Sequence, residues 1–318
     1  MIHHARWIQR PSIQRTNETS VLPRPRKSVP RKTSTASFKG SSRKPKHSQA
    51  DDIWFLETSG RRKLKAREAC SIESACLHNR NYTVHLLSVG NINSSYCAYH
   101  RVLSKLPNFR SAALSASTEL AGTPLLRLYA KGGALHRSPV FAVHLSDFLR
   151  YAVLWKRGGV YVDTDVIVFR SLKGLRNSIV YEVDGEHVTN SLLFFAKKHP
   201  VIRALMIACS RYYRPDWWSA CGPWLTSHLP RKRAISRLVK FLPSWTFFKS
   251  KFDDWRHFFD PRNARRLLRE VNNSYGVHLW NKMSKHVVVL TGSGSALDLL
   301  ARVHCPSVYS LASSVGYL

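Results

Sequence analysis

Two aspartates, Asp163 and Asp165, stand two residues apart inside the otherwise apolar run GGVYVDTDVIVF, residues 158–169. A strand buried on both faces normally reads as Val and Ile throughout, so the two carboxylates need a reason. On a strand, residues i and i+2 share a face, with Cα atoms about 6–7 Å apart. At the C-terminal end of a strand in an open α/β sheet, that face looks into the ligand crevice. Two hard oxygen ligands there suit Mn²⁺ or Mg²⁺, with diphosphate oxygens and water completing the shell. The competing reading is a polar strand end with two solvated aspartates, and a bare D-x-D does not choose between them. Upstream, Asp147 and Arg150 are three apart, which places them on one helical face. With Ser146 as N-cap they sit at a helix start, where the dipole and free N–H groups favour an anion. Arg150 then either holds a phosphate or ribose oxygen, or closes a salt bridge to Asp147 worth only ~0.3–0.5 kcal/mol when exposed.

The elements that must position these groups are legible around them. HLSDFLRYAVLWKRGG predicts a helix from the Ser146 cap to a Gly158 C-cap, with Phe148, Leu149, Ala152 and Val153 as its apolar face. The D-x-D run follows as one strand, and Gly158 and Gly159 give clearance for backbone or ligand because no Cβ intervenes. Further upstream, Ile53–Leu56 reads as a buried strand, KAREACSIESACLHN as a helix and YTVHLLSVG as a strand. Strand, helix, strand is the opening of an α/β sheet. The second half is less regular, with aromatic clusters in YYRPDWW and WTFFKSKFDDW and a strand-like KHVVVL near the end.

Composition bounds the rest. The 318 residues have room for one large domain or two ordinary ones, and 44% hydrophobic content suffices for a core. The formal charge of +31 is uneven: residues 1–50 carry twelve Lys/Arg against one acid, leaving about +20 on the remainder. The first fifty residues read as a disordered basic tail with a loose likeness to a transit peptide. A basic domain suits a polyanion, an anionic membrane face or a phosphate-bearing ligand. No recognised nucleic-acid motif is present and the basic residues are scattered, so no nucleic-acid partner is expected. No window approaches the ~18 apolar residues of a membrane span. The six cysteines lack the CxxC spacing of a zinc or redox site, and sequons at Asn17, Asn81, Asn93 and Asn272 permit a secretory history.

HLSDFLRYAVLWKRGGVYVDTDVIVFRSL, with SYGVHLWNKMS at 274–284, resembles the α1,4-galactosyltransferase and α1,4-N-acetylglucosaminyltransferase family, arthropod-type members above all. WFLETSG, GTPL, NSLLFFAKKHP and the Gly222-Pro223 pair extend the likeness from about Ile53 to about Tyr309. The resemblance implies an α/β fold of GT-A type: a Rossmann-like, mostly parallel sheet with flanking helices and a C-terminal acceptor-binding part. Residues 51–175 would form the donor-binding half and 176–318 the acceptor side. The implied activity is transfer of galactose or an N-acetylhexosamine from a UDP-sugar to a terminal sugar of a glycolipid or glycan, through an α1,4 linkage with retention and usually with Mn²⁺. By position, Asp163 and Asp165 match the D-x-D contacts to ribose and metal-diphosphate. Asp147 and Arg150 match the S-D-x-x-R donor contacts, and Glu57 and Thr58 the first-strand loop near the uridine. Gly159 and Tyr161 belong to the same donor-side stretch. His278 is either a third metal ligand or a core or diphosphate-contacting histidine. Trp280 is either an acceptor-stacking surface or core. Asn190 and Gly222 fall on the acceptor side. The acceptor hydroxyl is expected to attack from the face that UDP leaves. A covalent route needs a carboxylate beneath the sugar, for which Asp184 and Glu186 are candidates.

Three departures stand out. Family members are type II Golgi membrane proteins with one apolar span, whereas this chain carries the basic fifty residues; the expectation is Golgi localisation with a different native start. Cys221 stands where the family has a polar amide or His. Lys249 and Lys251 replace prolines in FFKSKFDDW. The alternatives to an active transferase are a catalytically inactive member and a basic polyanion-binding protein.

Overall fold

In the computed structural model, which describes residues 52–249 and 252–318, the expected opening is present. Strand β1 (Asp52–Glu57) leads through helix α1 (Ala66–His78) to β2 (Thr83–Ser88), then through α2 (Ala98–Leu103) to β3 (Phe109–Ala113). These strands pair in parallel, β1 with β2 and β2 with β3. The alternation along β1 explains how it is held. Ile53 and Phe55 pack with Ala69, Ile72 and Cys76 of α1, while Trp54 and Leu56 face the opposite layer. The basic segment 1–50 and Lys251 lie outside the described residues.

Short helices α3 (Ala116–Leu120) and α4 (Leu126–Tyr129) precede α5 (Phe141–Arg157), the main helix of the second layer. Helix α5 starts five residues before the expected Ser146 cap, with Val140 at its N-cap. That start carries no side-chain cap hydrogen bond, so nothing of the usual cap chemistry marks it. Gly158 ends the helix as expected, with φ of +73°. Asp147 and Arg150 therefore sit in its interior, and the helix-start anion site read from Ser146 does not exist.

The D-x-D run is not one strand. It splits into β4 (Gly159–Val162) and β5 (Val166–Val168), which belong to different sheets. Between them the carbonyl of Asp163 accepts the Val166 N–H at 3.2 Å, closing a β-turn. β4 continues the main sheet beside β1, while β6 (Ser178–Val183) and the long β7 (His187–Phe195) follow as a hairpin. Then come α6 (Pro200–Tyr212), α7 (Pro223–Thr226), α8 (Arg233–Ser236) and the edge strand β8 (Lys240–Leu242). The seven-stranded order is β3-β2-β1-β4-β7-β6-β8, and only β7 runs against the rest. The mostly parallel α/β sheet is thus as expected.

Helix α9 (Ala264–Val271) leads to β9 (Gly276–His278), which pairs antiparallel with β5, placing His278 opposite Val166. Helices α10 (Asn281–Ser284), α11 (Ala296–His304) and α12 (Pro306–Ser313) complete the α1 layer. KHVVVL forms no strand. The Val287 carbonyl accepts from the Arg67 guanidinium, Val289 pairs with the terminal Leu318, and only a single bridge joins Leu290 to Tyr317. Two disulfides, Cys70–Cys305 and Cys209–Cys221, staple the layers; Cys76 and Cys97 are free and buried. No helix among the described residues is long and apolar enough to cross a membrane.

Candidate active site

The turn between β4 and β5 does what the pleat was expected to do. It lies at the C-terminal edge of the sheet, anchored by the Asp163 N–H donating to the Ser191 carbonyl of β7 at 2.9 Å. Opposite it, β9 delivers His278, whose Nε2 lies 3.2 Å from Asp165 Oδ1. One ligand atom each from Asp163, Asp165 and His278 falls within a 4.8 Å cluster. Two carboxylate oxygens and one imidazole nitrogen form a donor set that Mn²⁺ accepts and that Mg²⁺ tolerates less well. His278 Nδ1 is buried with no hydrogen-bond partner.

The two aspartates are electrostatically unequal. Burial pushes Asp165 up, but the adjacent His278 and the Asn281 N–H at 2.8 Å more than offset it, so its pKa is lowered. For His278, burial pulls the other way from Asp165, and Asp165 prevails, raising it. Asp163 is raised, by burial first and by the charge of Asp165, with Arg150 opposing both.

Arg150 is the hub of the second half of the site. Its guanidinium lies 3.3 Å from Asp163 Oδ1 and 3.2 Å from Asp147 Oδ1, and it donates to the Asn190 carbonyl at 2.8 Å. Burial opposes its charge, but Asp163, Tyr161 and Asp147 outweigh it, so its pKa is raised. Ser146, expected as a cap, instead accepts from the guanidinium at 2.9 Å through its hydroxyl. Tyr161 is fully buried beneath Arg150, 4.6 Å from ring centroid to guanidinium, and its hydroxyl donates to Asp163 Oδ1. Its place is therefore behind Asp163, setting that carboxylate's angle.

Asn190 and Gly222, expected on the acceptor side, join the same cluster. Asn190 Nδ2 donates to Asp147 Oδ1 at 2.7 Å. A Cβ on Gly222 would stand 3.3 Å from both Asn190 Nδ2 and Asp147 Oδ2, so the glycine lets its loop close over the pair. The neighbouring Cys221 is bonded to Cys209 and gives its carbonyl to Tyr151 at 2.7 Å, so its sulfur is structural. The loop is held from the far side as well, where His144 Nε2 and the Trp218 carbonyl are 3.2 Å apart.

Glu57 and Thr58 sit at the end of β1. Glu57 is buried; its Oε1 accepts from Ser59 and Arg61, while Oε2 has no hydrogen-bond partner. The Thr58 hydroxyl donates to the Ala142 carbonyl at 2.7 Å. Thr58 also lines a cleft of about 490 Å³ at the ends of β1, β2 and β3, with Val89, Leu114, Ser117 and Phe141. No local pattern marks that cleft, because its walls come from five separate segments.

Two expected contacts fall elsewhere. Gly159 is at the start of β4, the opposite end from the turn. A Cβ there would stand 2.5 Å from the Asp52 carbonyl, and its φ is +101°. Its clearance is for β1, not for a ligand. Trp280 is buried, with left-handed φ of +53°, and its ring stands edge-on to His278 at 4.4 Å and against Phe248 at 5.6 Å. It buttresses the histidine and presents no open stacking face. Asp184 accepts the Ser244 N–H and hydroxyl in the β6–β7 turn, outside the cluster, with Glu186 two residues on. Lys249 lies on a separate 240 Å³ cleft with Trp245 and Glu270.

Comparison with known proteins decides what this geometry belongs to. Residues 65–184 match the glycosyltransferase sugar-binding region containing the DXD motif, and residues 194–312 the alpha 1,4-glycosyltransferase conserved region. Rat lactosylceramide 4-alpha-galactosyltransferase is 30% identical over 281 residues, covering 83% of this chain and 77% of that protein. The chain belongs to the α1,4-glycosyltransferase family. Human alpha-1,4-N-acetylglucosaminyltransferase is 29% identical over 282 residues, 81% of this chain and 79% of that protein. Among solved structures, PaToxG glycosyltransferase is similar over 82% of this chain and 86% of that one, with 14% identity and a TM-score of 0.43. The galactosyltransferase LgtC is similar over 72% and 87%, with 15% identity and a TM-score of 0.34. Within the matched sugar-binding region of this glycosyltransferase, the D-x-D pair is Asp163 and Asp165.

Proposed function

We propose that this glycosyltransferase moves galactose or an N-acetylhexosamine from a UDP-sugar to a terminal sugar hydroxyl, forming an α1,4 linkage with retention. The observation that carries the reading is the convergence of Asp163, Asp165 and His278 within 4.8 Å at the sheet edge, backed by the Arg150 hub. Those three residues would hold a divalent cation, Mn²⁺ or Mg²⁺, which when bound neutralises charge on a leaving diphosphate. Arg150 fixes the Asp163 carboxylate beside it, leaving Asp163 to accept from a ribose hydroxyl. Asp147, oriented by Asn190 and Arg150, is the acceptor for hydroxyls of the donor sugar under the Gly222 loop. The cleft lined by Thr58 takes the uridine.

In the transfer, the acceptor oxygen forms a bond to the anomeric carbon on the face that UDP vacates. The bond from that carbon to the UDP oxygen breaks, and the departing phosphate takes the acceptor proton. Asp184 is engaged with Ser244, which favours this front-face route over a covalent one. A glycolipid acceptor is supported by the similarity to lactosylceramide 4-alpha-galactosyltransferase. Golgi residence, with membrane association, is favoured by the two disulfides, which persist in oxidising compartments, and by exposed sequons at Asn81 and Asn272.

The test is thermal stability with UDP and Mn²⁺, followed by hydrolysis of UDP-galactose and UDP-N-acetylhexosamines. UDP with Mn²⁺ at a hundredfold excess over Kd should stabilise by about 2.7 kcal/mol, and Asp165→Asn should abolish the shift. No shift at millimolar UDP would sink the donor-site assignment.

A further inference from the structure

The segment KHVVVL, strand-like in its spacing, builds a short apolar ribbon on the surface. Leu290 bridges to Tyr317, with the Thr291 N–H donating to the Gly316 carbonyl and the Leu318 N–H to the Val289 carbonyl. That pattern makes Leu290 and Tyr317 a non-hydrogen-bonded antiparallel pair, whose side chains stand close together on one face. Val288 and Leu290 flank the buried Val289, so alternation turns both outward. Val288, Leu290, Val315 and Tyr317 are 65%, 62%, 56% and 52% exposed. Tyr317 stands near Tyr99 of α2, whose phenol is pushed up by burial and then by Tyr317. At the entry to α2, Tyr96 is 53% exposed, with the Arg62 guanidinium 5.1 Å from its ring centroid.

The rim of this face is cationic. Arg67, in the first turn of α1, donates to the Ser284 and Val287 carbonyls, which seats the start of that helix against the ribbon. The exposed Arg62, Lys63 and Lys65 precede it, Arg101 lies on α2, and Lys285 leads into the ribbon itself. Segments 62–66, 94–101, 285–293 and 311–318 hold these five cations and no Asp or Glu. The acids on either side of the first segment, Glu57 and Glu68, are buried against Arg61. Strands β1, β2 and β4 are parallel, so the loops carrying Arg62 and Tyr96 leave the sheet at the D-x-D edge.

We propose that this face seats the folded domain on an anionic lipid surface. Val288, Leu290, Val315 and Tyr317 enter the boundary between headgroups and acyl chains, while Arg62, Lys63, Lys65, Arg101 and Lys285 meet the headgroup anions. The docking goes beyond the UDP-sugar reading and needs neither donor nor metal nor a membrane-spanning segment. An exposed apolar cluster alone suits a protein partner as well as a bilayer. The charge decides between them: a rim of one sign fits a surface that is negative throughout, and the long basic side chains hold their charges at headgroup level above a submerged ribbon. Two copies of this face would set like charges against each other, which disfavours self-association. The D-x-D edge of the sheet is thereby turned toward the bilayer.

The experiment uses the full chain and sucrose-loaded vesicles of phosphatidylcholine, alone or with phosphatidylserine at roughly 7:3. Wild type should sediment with the mixed vesicles far more than with phosphatidylcholine alone. Val288→Ser/Leu290→Ser should bind the mixed vesicles about 10- to 50-fold more weakly, from the apolar surface no longer submerged. Lys63→Gln/Lys285→Gln should weaken the same binding about 5- to 30-fold, two cations near an anionic surface being removed. Unchanged melting temperatures show that both variants are folded. The basic segment 1–50 is common to all three proteins, so their ratios read this face alone. Placement is read by an environment-sensitive dye on Leu290→Cys and on Lys173→Cys, the latter in the loop before β6 at the opposite edge of the sheet. The six native cysteines are either buried or in disulfides, so the dye reports the new thiol. Mixed vesicles should shift the emission at position 290 to the blue and leave that at 173 unchanged. Binding by Val288→Ser/Leu290→Ser within twofold of wild type overturns the proposal, as does an equal dye shift at both positions. A wild type that sediments as a dimer without lipid, and becomes a monomer in Val288→Ser/Leu290→Ser, assigns the face to a second copy and overturns it too.

Discussion

Arg150 faces Asp147 at 3.2 Å and Asp163 at 3.3 Å, with its own side chain 6% exposed and those of the aspartates 5% and 27% exposed. Arg150→Met keeps the length of the stem and removes the only charge that faces both carboxylates in these ion pairs. Breaking a buried pair by removing one partner costs about 3–5 kcal/mol, since the remaining charge stays buried. Asp163 is exposed enough to rehydrate, so the lower end applies to the electrostatic part, about 3 kcal/mol. The hydrogen bonds to the Asn190 carbonyl and Ser146 add about 1 kcal/mol. The expected loss of about 4 kcal/mol lowers Tm by roughly 10 °C in a domain of this size.

The pH dependence gives the argument its sharper edge. Asp147 and Asp163 already sit above the usual carboxylate range, by burial in both cases. Without Arg150 both rise further. A carboxyl with a folded-state pKa above its unfolded value gives stability that is present at low pH and lost as pH rises through the folded value. The penalty of Arg150→Met should therefore be smaller at pH 5 than at pH 8. Urea unfolding of wild type, Arg150→Met and Arg150→Met/Asp163→Asn at both pH values measures it. The double variant should recover about half the loss, because one of the two stranded charges is gone. A single-variant loss under about 1 kcal/mol, or a penalty that grows as pH falls, would refute the buried-hub account.

Two further outcomes follow from the same structure. Gly159→Ala should destabilise by roughly 2–4 kcal/mol, because its Cβ meets the Asp52 carbonyl at 2.5 Å with φ at +101°, while UDP affinity per folded molecule stays within twofold; weakened UDP binding by a stably folded variant would restore the glycine to the donor site. His304 is held down at about 4 by burial and then by His78, whose Nε2 lies 2.9 Å from its Nδ1. With the folded pKa depressed below 6.5, the unfolded state takes up the proton first, so stability falls as pH drops from about 6.5 to 4; screening of this partly exposed pair limits the loss to about 1–2 kcal/mol, and His304→Asn should flatten that slope in urea unfolding at pH 7 and 5.

What the sequence disclosed and what it hid divide along local and non-local physics. The β1–α1–β2 opening was readable because alternation in DIWFLE and helical spacing in AREACSIESACLH are local patterns. The identity of Asp163, Asp165, Asp147, Arg150 and His278 as one constellation was readable through the family motif. Their geometry was not, since the break between β4 and β5 is decided by which sheet each strand joins, a pairing with β7 on one side and β9 on the other. Asp163 is a residue type favoured at the first position of a turn, but the apolar run on either side reads as one strand. Ser146 misled because a serine before an apolar stripe has the look of a cap, while the actual N-cap, Val140, makes no side-chain cap hydrogen bond. The sign of φ at Gly159 and the pairing of Cys209 with Cys221 are set by contacts across the fold, which spacing does not encode.

Asp165 carries both kinds of information at once, and that governs how the site must be probed. Its Oδ1 faces His278 and its Oδ2 accepts the Asn281 N–H, while its backbone carbonyl accepts the Leu279 N–H at 2.9 Å. The segment from His278 to Lys282 is therefore built on this one residue, by two contacts through the side chain and one through the backbone. Asp165→Asn retains an amide oxygen for the Asn281 N–H and loses only the charge, whereas Asp165→Ala strands that buried donor and lets α10, with Lys282 on it, drift from the turn. Loss of the UDP and Mn²⁺ shift in a stable Asp165→Asn protein consequently reports on charge, and a further loss of stability in Asp165→Ala, of about 1–3 kcal/mol for the unpaired N–H, reports on scaffold. The two variants separate what binding needs from what folding needs at the single residue where the fold merges them.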